Sequence, residues 1–545
     1  AAQLAATAAA VAHDGIGVDG ARFVAAAIAV AFEQDSPGRI VEQALETVHP
    51  SSDLHRIAEE LTSFWNKHPD DFRACRDFLE KNFGYWKYPG VCPLPTNAGV
   101  IILSLLYGDG DFGRTIEIAT MCGWDTDCNA GNAGTIAGVA YGLAAVPDRY
   151  RSPINDVIVA SSVAGSLNTV DIPAAAAFIA AHRYQLRGEE MPQSVSRLLP
   201  RRELFFPFDL PGSTHGFRLS DSLHFQLHHD GDTGVDQPSG SLQVLVDRLE
   251  RGQQGKIYYK PFYRRADFDD ERYDPAFSPQ VYQGQEVSFS TAVTIMSGDT
   301  IRIAPFAQAG DTLFEGVFRE FGSGHQEAWT EHTFVIPDTN GEPVSEVGML
   351  IMNYSKAKFL GHVWMDDFSV TGPGSLEVDF ATQTIEFGTI TQCTTTGGAW
   401  SLEQGEVRAC SEGPATLFTG NYHSGDYRVT GAVTPVYGES HLMVFRALGT
   451  RRAYYFGLHG ENTIALLRNN HGVELLAEES FEWEHGKRYE FAVDAVGNAF
   501  VCSVDGHELI RYEDGEGLPA HGMVGYHHQE IGNTLFGTVR VVEHP

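Results

Sequence analysis

The first 200 residues place their hydrophobic side chains at helical spacing. In "LHRIAEELTSFW", Leu54, Ile57 and Leu61 recur every three or four residues. "VDGARFVAAAIAVAF" and "NAGVIILSLLYG" are apolar on all sides, as buried helices are. "SPINDVIVASSVAGSL" and "IPAAAAFIAAHRYQL" each have a proline near the first residue, which favours a helix start. We therefore predict an all-α domain over residues 1–200.

After about residue 200 the pattern changes to alternation. In "EVSFSTAVTI", Val287, Phe289 and Val293 fall on one face of a predicted strand. Short strands separated by Gly, Pro and Asp turns continue to the C-terminus, and "VDG" predicts a hairpin turn. With "TGPGS" as a linker, we predict two all-β sandwich domains, 203–373 and 376–545, that fold without the helical part.

The net charge of −33 argues against nucleic acid and anionic membranes as partners, because phosphate groups require a basic surface. No run of 18 apolar residues predicts a membrane span. The first residues, "AAQLAATAAAVAHDG", lack the basic region of a signal peptide and resemble the middle of a buried helix. We expect a cytoplasmic protein whose printed sequence begins inside a domain.

The seven cysteines are scattered and form no CxxC pair, which favours a reducing compartment without a disulfide framework. Cys393 and Cys410 flank a predicted hairpin and are the one candidate for a disulfide.

The segment "MCGWDTDCNAGNAGTIAGVAYG" holds two aspartates ahead of a helix with one bare face. Asp125 and Asp127 lie two residues apart and repel each other unless a cation lies between them. Aspartate oxygens suit hard cations such as Mg²⁺. Gly134, Gly138 and Gly142 recur every four residues, so another helix can approach that face closely. The alternative is that one aspartate only caps the helix.

These residues resemble the ADP-ribosylglycohydrolase family, which includes the dinitrogenase-reductase-activating glycohydrolase. The family signature G-x-D-T-D-[TS]-N-A reads "GWDTDCNA" over residues 123–130, and the following helix ends in Tyr141-Gly142. "AHDGIGVDG" supplies His13 at the position of the family's histidine. The resemblance covers roughly residues 1–185.

The resemblance implies an all-helical hydrolase that cleaves an N- or O-glycosidic bond of ribose, as in an ADP-ribosyl group, or of a related furanose. It implies two Mg²⁺ ions in the site, with Mn²⁺ as a substitute. The implied metal ligands are Asp125, Asp127 and Cys128. The implied substrate-binding residues are His13, Asp14, Trp124 and Asn129.

Two departures from the family pattern bear on activity. Cys128 stands where the family has Thr or Ser, and a thiol is a poor Mg²⁺ ligand. Either Cys128 fills the space of Thr, or the site accepts a softer metal. The family's N-terminal half-site is also absent, so we expect the catalytic residues partly upstream of Ala1.

The aromatic stretch "GYWKYPG" either forms a rim of the pocket through Tyr85, Trp86 and Tyr88 or is a packed loop. Among the β regions, "GHVWMDDFSVTG" resembles the last strand of a jelly-roll carbohydrate-binding module, and its Asp366 and Asp367 are candidates for Ca²⁺. Residues 376–545 resemble the concanavalin-like, laminin-G-type sandwich. The acidic stretches at 228–234 and 267–274 are interpreted as solvated turns.

Three functions follow as hypotheses. The first is a metal-dependent glycoside hydrolase with sugar-binding accessory domains, acting on a sugar or an ADP-ribosylated substrate. The second is a carbohydrate-binding protein whose hydrolase-like domain is inactive. The third, a Mg²⁺ phosphohydrolase, requires a phosphate cradle of glycines and basic residues that the sequence does not display. The aglycone and the oligomeric state are not set by the sequence.

Overall fold

The structure is a computed structural model that describes residues 1–235, 239–268, 273–322 and 328–545. It contains two compact units, Ala1–Pro153 and Ile154–Pro545. An all-α region followed by β-sandwiches is thereby confirmed. The division at Pro153 differs from the predicted end of the helical domain at residue 200, and the predicted ranges 203–373 and 376–545 stay predictions. Of the acidic stretch 267–274, residues 269–272 lie outside the described residues.

The first unit is built around one buried helix, α6. Every residue of α6 from Pro95 to Gly108 is buried, and α6 contacts α4, α5, α7 and α8. The apolar run "NAGVIILSLLYG" is thus the centre of the core, as its composition predicts. The helices are α1 Ala2–Ala9, α2 Gly15–Ala31, α3 Pro37–Leu45, α4 Asp53–Lys67, α5 Phe72–Phe83, α6 Leu94–Gly108, α7 Phe112–Met121, α8 Thr126–Tyr141 and α9 Asp148–Ile154.

The glycine face of α8 packs against α7. A Cβ added at Gly134 would lie 2.8 Å from Ile116 Cδ1, and one at Gly138 would lie 3.6 Å from Phe112 Cε2. The small residues therefore let the two helices approach, as predicted. Gly142 ends α8 at φ 76°, a conformation that favours glycine.

The predicted helix over residues 152–167 is wrong. Asn155 and Asp156 have φ of 52° and 57°, which ends α9. The β-branched run that follows forms strand β1, Val157–Val159, which pairs antiparallel with β2, Thr169–Asp171. The next predicted helix is confirmed as α10, Ile172–Arg187, and α11 spans Gln193–Ser196.

The first sandwich consists of two antiparallel sheets. Their strand orders are β12-β8-β14-β6-β5, with β3 beside β14, and β10-β9-β13-β7-β4, with β11 beside β9. Val287, Phe289 and Val293 share its core, as the alternation predicts. The strands are β3 Leu204–Phe206, β4 Arg218–Leu219, β5 Phe225–Asp230, β6 Ser241–Leu249, β7 Gln254–Tyr259, β8 Glu286–Ser297, β9 Thr300–Ala309, β10 Thr312–Glu315, β11 Arg319–Gly322, β12 Thr330–Val335, β13 Val344–Asn353 and β14 Phe359–Thr371.

The second sandwich also has two antiparallel sheets, with strand orders β19-β20-β31-β22-β27-β28-β29 and β18-β21-β30-β23-β24-β25-β26; β15 pairs with β31. Its strands are β15 Ser375–Val378, β16 Ile385–Glu386, β17 Thr389–Ile390, β18 Cys393–Thr396, β19 Ala399–Glu403, β20 Glu406–Ser411, β21 Ala415–Thr419, β22 Tyr427–Gly438, β23 Ser440–Gly449, β24 Arg452–His459, β25 Thr463–Asn470, β26 Val473–Ser480, β27 Tyr489–Val496, β28 Ala499–Val504, β29 His507–Glu513, β30 Met523–His528 and β31 Gly532–Glu543.

The hairpin predicted at "VDG" is present. Asp505 and Gly506 have φ of 50° and 80°, the two positive values that a two-residue turn of this kind requires. Cys393 and Cys410 are both free and lie in different sheets, so the candidate disulfide is wrong. Among the described residues, no helix is both long and apolar enough to cross a membrane.

The two sandwiches contact each other within the second unit. Arg202 forms an ion pair with Glu543, and the Ser278 hydroxyl donates to the Gly420 carbonyl at 2.8 Å. Residues ahead of the first sandwich take part as well, since the Asn168 amide donates to the Ala276 carbonyl at 2.6 Å. The segment from Ile154 onward therefore belongs to the β-rich unit.

Candidate metal-binding site

Asp125 lies at the N-cap position of α8 but its side chain does not cap the helix. Its backbone is left-handed, with φ 41° and ψ 54°, and its carboxylate accepts no hydrogen bond from the first turn's backbone. The carboxylate instead receives the Asn97 amide, 3.3 Å from Nδ2 to Oδ2. The capping alternative therefore does not explain Asp125, whose carboxylate accepts from Asn97 on α6 instead of from the backbone of α8.

Asp125, Asp127 and Cys128 form one cluster. One ligating atom from each lies within 4.8 Å of the other two, and among the described residues this is the single group of three or more His, Cys, Asp or Glu side chains with that geometry. Asp125 is half-buried, and the other two are exposed. Two carboxylates about 4 Å apart repel each other by about 1 kcal/mol in water. A divalent cation between them makes the electrostatic interaction favourable. The oxygen pair fits a hard cation in this respect.

The Cys128 thiol is directed at Asp125. A hydrogen bond from the thiol to the Asp125 carboxylate, followed by the charges of Asp125 and Asp127, raises the pKa of Cys128. The sulfur thus occupies the position at which the family signature has Thr or Ser. The arrangement favours the interpretation in which Cys128 fills the space of Thr; its assignment as a ligand stays a prediction.

Asn97 is the residue that holds the site together, and the sequence analysis did not identify it. Its amide donates to Asp125, while its carbonyl oxygen accepts from the Tyr85 hydroxyl at 2.9 Å and from Asn129 Nδ2 at 3.3 Å. Asn97 is 8% exposed and lies on the apolar helix α6. An asparagine in an otherwise apolar helix is the sequence feature that could have identified it, because a buried amide requires hydrogen-bond partners.

Asn129 and Trp124 are engaged within the protein. Asn129 is buried, and its Nδ2 also donates to the Trp124 carbonyl at 2.7 Å, which fixes the loop before α8. The Trp124 ring stacks on Tyr85, with centroids 5.5 Å apart, and the Arg76 guanidinium lies 4.2 Å from the ring centroid. Both residues thus support the loop that carries Asp125; their roles in substrate binding stay predictions.

The remaining predicted residues lie around the turn from α1 to α2 and in the loop before α6. His13 and Asp14 are exposed, and in the described part of the chain no hydrogen bond joins either to the aspartate cluster. Tyr85 joins the Asn97 network, whereas Trp86 is 71% exposed and Tyr88 packs against the helical core. The loop is therefore partly packed, and only Tyr85 reaches the Asp125 cluster through hydrogen bonds.

Asp366 and Asp367 have other partners in the first sandwich. The Asp366 oxygens accept from the backbone N–H groups of Val235 and Asp367 at 2.8 and 2.7 Å. Burial raises the pKa of Asp366 to about 6. Asp367 lies 3.2 Å from the Arg197 guanidinium. The calcium site stays a prediction, and the observed contacts account for both carboxylates without a cation.

Comparison with known families identifies the helical region. Residues 1–185 match the model of the ADP-ribosylglycohydrolase family, so the resemblance drawn from the "GWDTDCNA" signature is confirmed. This part of the chain is therefore similar to ADP-ribosylglycohydrolase domains, and the match supports a hydrolase that acts on glycosyl bonds. The match includes the whole first unit and extends into α10. No curated protein matches the chain.

Three solved structures illustrate what the chain is similar to outside that domain. The first is carbohydrate binding module CBM66 from Bacillus subtilis, with 18% identity over 28% of this chain and 95% of that chain and a TM-score of 0.26. The second is a Bacillus subtilis protein of unknown function with a galectin-like fold, with 12% identity over 28% of this chain and 89% of that chain and a TM-score of 0.25. The third is domain 4 of the arabinanase AbnA from Geobacillus stearothermophilus in complex with arabinotriose, with 14% identity over 28% of this chain and 82% of that chain and a TM-score of 0.22. Each likeness covers less than a third of this chain.

Proposed function

We propose that the helical unit is a divalent-metal-dependent glycoside hydrolase acting on ribose, in an ADP-ribosyl group, or on a related furanose. The observation that supports this most directly is the Asp125 carboxylate, which stands at the start of α8 without capping it, beside Asp127. The family match to residues 1–185 supports the reaction class.

The residues present fit a hard cation. Asp125 and Asp127 offer carboxylate oxygens within 4.8 Å of each other. A bound Mg²⁺ or Mn²⁺ would supply a positive centre that binds sugar hydroxyls and polarises a water molecule. We further propose that the site holds two ions and that His13 and Asp14 contact the substrate. A cytoplasmic location is also part of this proposal.

The chain's own residues position the carboxylates. Asn97 holds Asp125 by its amide and is itself held by Tyr85 and Asn129. The backbone of Asp125 is left-handed, and its side chain does not cap α8. Carboxylates fixed in this way also suit a reaction whose transition state carries positive charge at the anomeric carbon.

Hydrolysis tests the proposal. The protein, with any residues that precede Ala1, is incubated with an ADP-ribosylated peptide and with an aryl ribofuranoside, in Mg²⁺ and after EDTA treatment, and release of the sugar is followed. We expect release that EDTA abolishes and Mg²⁺ or Mn²⁺ restores. Sugar release that persists in EDTA would contradict metal dependence, and absence of release from any furanoside would favour the inactive-domain hypothesis.

A groove in the second sandwich favours carbohydrate binding as a second function. The groove has a volume of about 460 Å³ and is lined by Thr416, Arg451, Asn469, His527 and Gln529, among others. These are planar or hydroxylated side chains of the kind that pair with sugar hydroxyls. The His527 ring stacks on Tyr455 with centroids 4.1 Å apart, which fixes the floor of the groove.

Glycan binding by matched variants tests this second function. Arg451 is exposed and lines the groove, whereas Arg251 is exposed in the same unit and does not line it. We expect Arg451→Ala to weaken binding of an oligosaccharide in affinity electrophoresis and Arg251→Ala to leave it unchanged. Equal mobility shifts for the two variants would show that binding, if present, does not use the groove.

A further inference from the structure

The β-rich unit contains a cavity of about 390 Å³ that none of the functions above uses. Its walls come from the segment between residues 166 and 206, from Tyr259 and Gln280 of the first sandwich, and from 421–423 of the second. The volume lies within the range of small-molecule sites, roughly 300–1,000 Å³.

The cavity wall is largely apolar. Val170, Ala174, Leu198, Leu204 and Phe206 contribute to it, and Leu198 and Phe206 are buried. Its mouth is flanked by exposed apolar side chains, with Phe178 53% and Leu167 36% exposed. Binding here would stabilise a ligand with an apolar body by about 25 cal/mol for each Å² of apolar surface removed from water.

Two buried polar atoms in this wall, Asp171 Oδ1 and His423 Nε2, have no hydrogen-bond partner among the described residues. Tyr259, which is 3% exposed, lines the same wall and carries a hydroxyl. Leaving such a group unpaired costs roughly 1–3 kcal/mol. A ligand that pairs with them would recover that free energy.

The positions of two of these groups are fixed by other contacts. The second Asp171 oxygen, Oδ2, lies 3.1 Å from His215 Nδ1 and accepts the Ala174 N–H at 3.2 Å. The Tyr259 ring packs against Phe206, with centroids 4.8 Å apart. Burial and the Asp171 charge raise the pKa of Tyr259, so its hydroxyl keeps a proton to donate. Burial lowers the pKa of His423 to about 4, so its ring is neutral near pH 7.

We propose that this cavity binds a small uncharged molecule with an apolar ring and a hydroxyl group. The ligand hydroxyl donates a hydrogen bond to Asp171 or His423 and accepts one from the Tyr259 hydroxyl. The ring occupies the apolar part of the cavity. This site is independent of the aspartate cluster in the helical unit.

A titration followed by ligand-observed NMR tests the proposal, with 4-methylphenol as the probe. Toluene has the same ring and methyl group without the hydroxyl, and glucose has hydroxyls without an apolar ring. We expect saturable binding of 4-methylphenol, binding of toluene about threefold to tenfold weaker, and no binding of glucose. Absence of saturable 4-methylphenol binding, equal affinity for toluene, or preferential binding of glucose would each overturn the proposal.

Variants assign the binding to this cavity. Tyr259→Phe keeps the ring and removes the hydroxyl, and we expect it to weaken 4-methylphenol about threefold to tenfold while leaving toluene unchanged. Ala175 lines the cavity and Ala176 is exposed beside it on α10 without lining it. Ala175→Leu should abolish binding and Ala176→Leu should not. Undiminished binding by the folded Ala175→Leu protein would place the ligand elsewhere and refute the assignment.

Discussion

Asn97 on α6 and Asp125 at the start of α8 are joined by a hydrogen bond of 3.3 Å between the Asn97 amide and the Asp125 carboxylate. They are 28 residues apart in sequence. Because Asn97 also accepts from Tyr85 and Asn129, its side chain fixes the carboxylate from a buried position. The position of the Asp125 carboxylate in the candidate metal-binding site thus depends on the helical core.

Replacing Asn97 by leucine should destabilise the helical unit. Asn97→Leu keeps a similar volume but leaves the Tyr85 hydroxyl and the Asn129 amide without their partner, at a cost of about 1–3 kcal/mol. Denaturant unfolding followed by circular dichroism of the helical signal measures the loss. Asn66→Leu, at an exposed position of α4, is the matched control and should change stability by less than about 0.5 kcal/mol. Equal effects of the two variants would show that the Asn97 bonds are energetically unimportant.

The glycine face of α8 gives a second prediction about stability. Gly134→Leu forces a side chain against Ile116 and should cost about 1–3 kcal/mol through overpacking. Gly131 lies in the same helix with no atom within 4 Å of an added Cβ. Gly131→Leu should therefore stabilise the helix by about 0.5–1 kcal/mol. Thermal unfolding of both variants decides the point, and a stable Gly134→Leu protein would mean that α7 and α8 are not closely packed.

Much of this unit is predictable from the sequence because its signals are local. The buried α6 follows from its unbroken apolar run, and the approach of α7 to α8 follows from the spacing of Gly134 and Gly138. The error at residues 152–167 arose because Pro153 was interpreted as a helix start, whereas Asn155 and Asp156 adopt positive φ and end α9. That choice depends on the neighbouring strand β2, which a local pattern does not reveal.

The partners of the site were less predictable than its aspartates. Asp125 directly precedes α8 and Asp127 lies in its first turn, so the local motif identifies both. Asn97 and Arg76 reach the same loop from α6 and α5, and no spacing rule links residues so far apart. The two unpaired groups of the cavity in the β-rich unit, Asp171 and His423, also come from distant segments, so no local pattern links them.

Cys128 should be replaceable by serine. The Ser hydroxyl can donate to Asp125 as the thiol does, so Cys128→Ser should keep turnover within about tenfold, a change of roughly 1.4 kcal/mol in the barrier. Metal content and turnover are measured in Mg²⁺, Mn²⁺ and Zn²⁺ for wild type and variant. Stoichiometric Zn²⁺ in the wild type that is lost in Cys128→Ser would instead make the sulfur a ligand of a softer metal.

Two buried histidines should make the second sandwich sensitive to acid. Burial lowers the pKa of His441 to about 4 and that of His528 to about 3, and both rings bond the Thr534 hydroxyl. Unfolded histidine titrates near 6.5, so the unfolded state binds protons first as the pH falls. The stability present above pH 6.5 is therefore lost progressively between pH 6.5 and about 4.

Hydrogen exchange of β23 and β30 between pH 7 and pH 4.5 measures this loss. His441→Asn should reduce the slope of the free energy of unfolding against pH by up to about 1.4 kcal/mol per pH unit, which is the contribution of one proton. His507→Gln, at an exposed position of β29, is the control and should leave the slope unchanged. An unaltered slope in His441→Asn would mean that this ring does not titrate on unfolding.

The central claim is that Asp125 and Asp127 hold a divalent cation, and Mn²⁺ binding followed by electron paramagnetic resonance tests it most directly. The wild type is compared with Asp127→Asn, which removes one charge without changing shape, and with Asp70→Asn at an exposed position after α4. We predict saturable Mn²⁺ binding by the wild type and Asp70→Asn, and at least about tenfold weaker binding by Asp127→Asn. Mn²⁺ affinity that is the same in all three proteins would contradict the assignment.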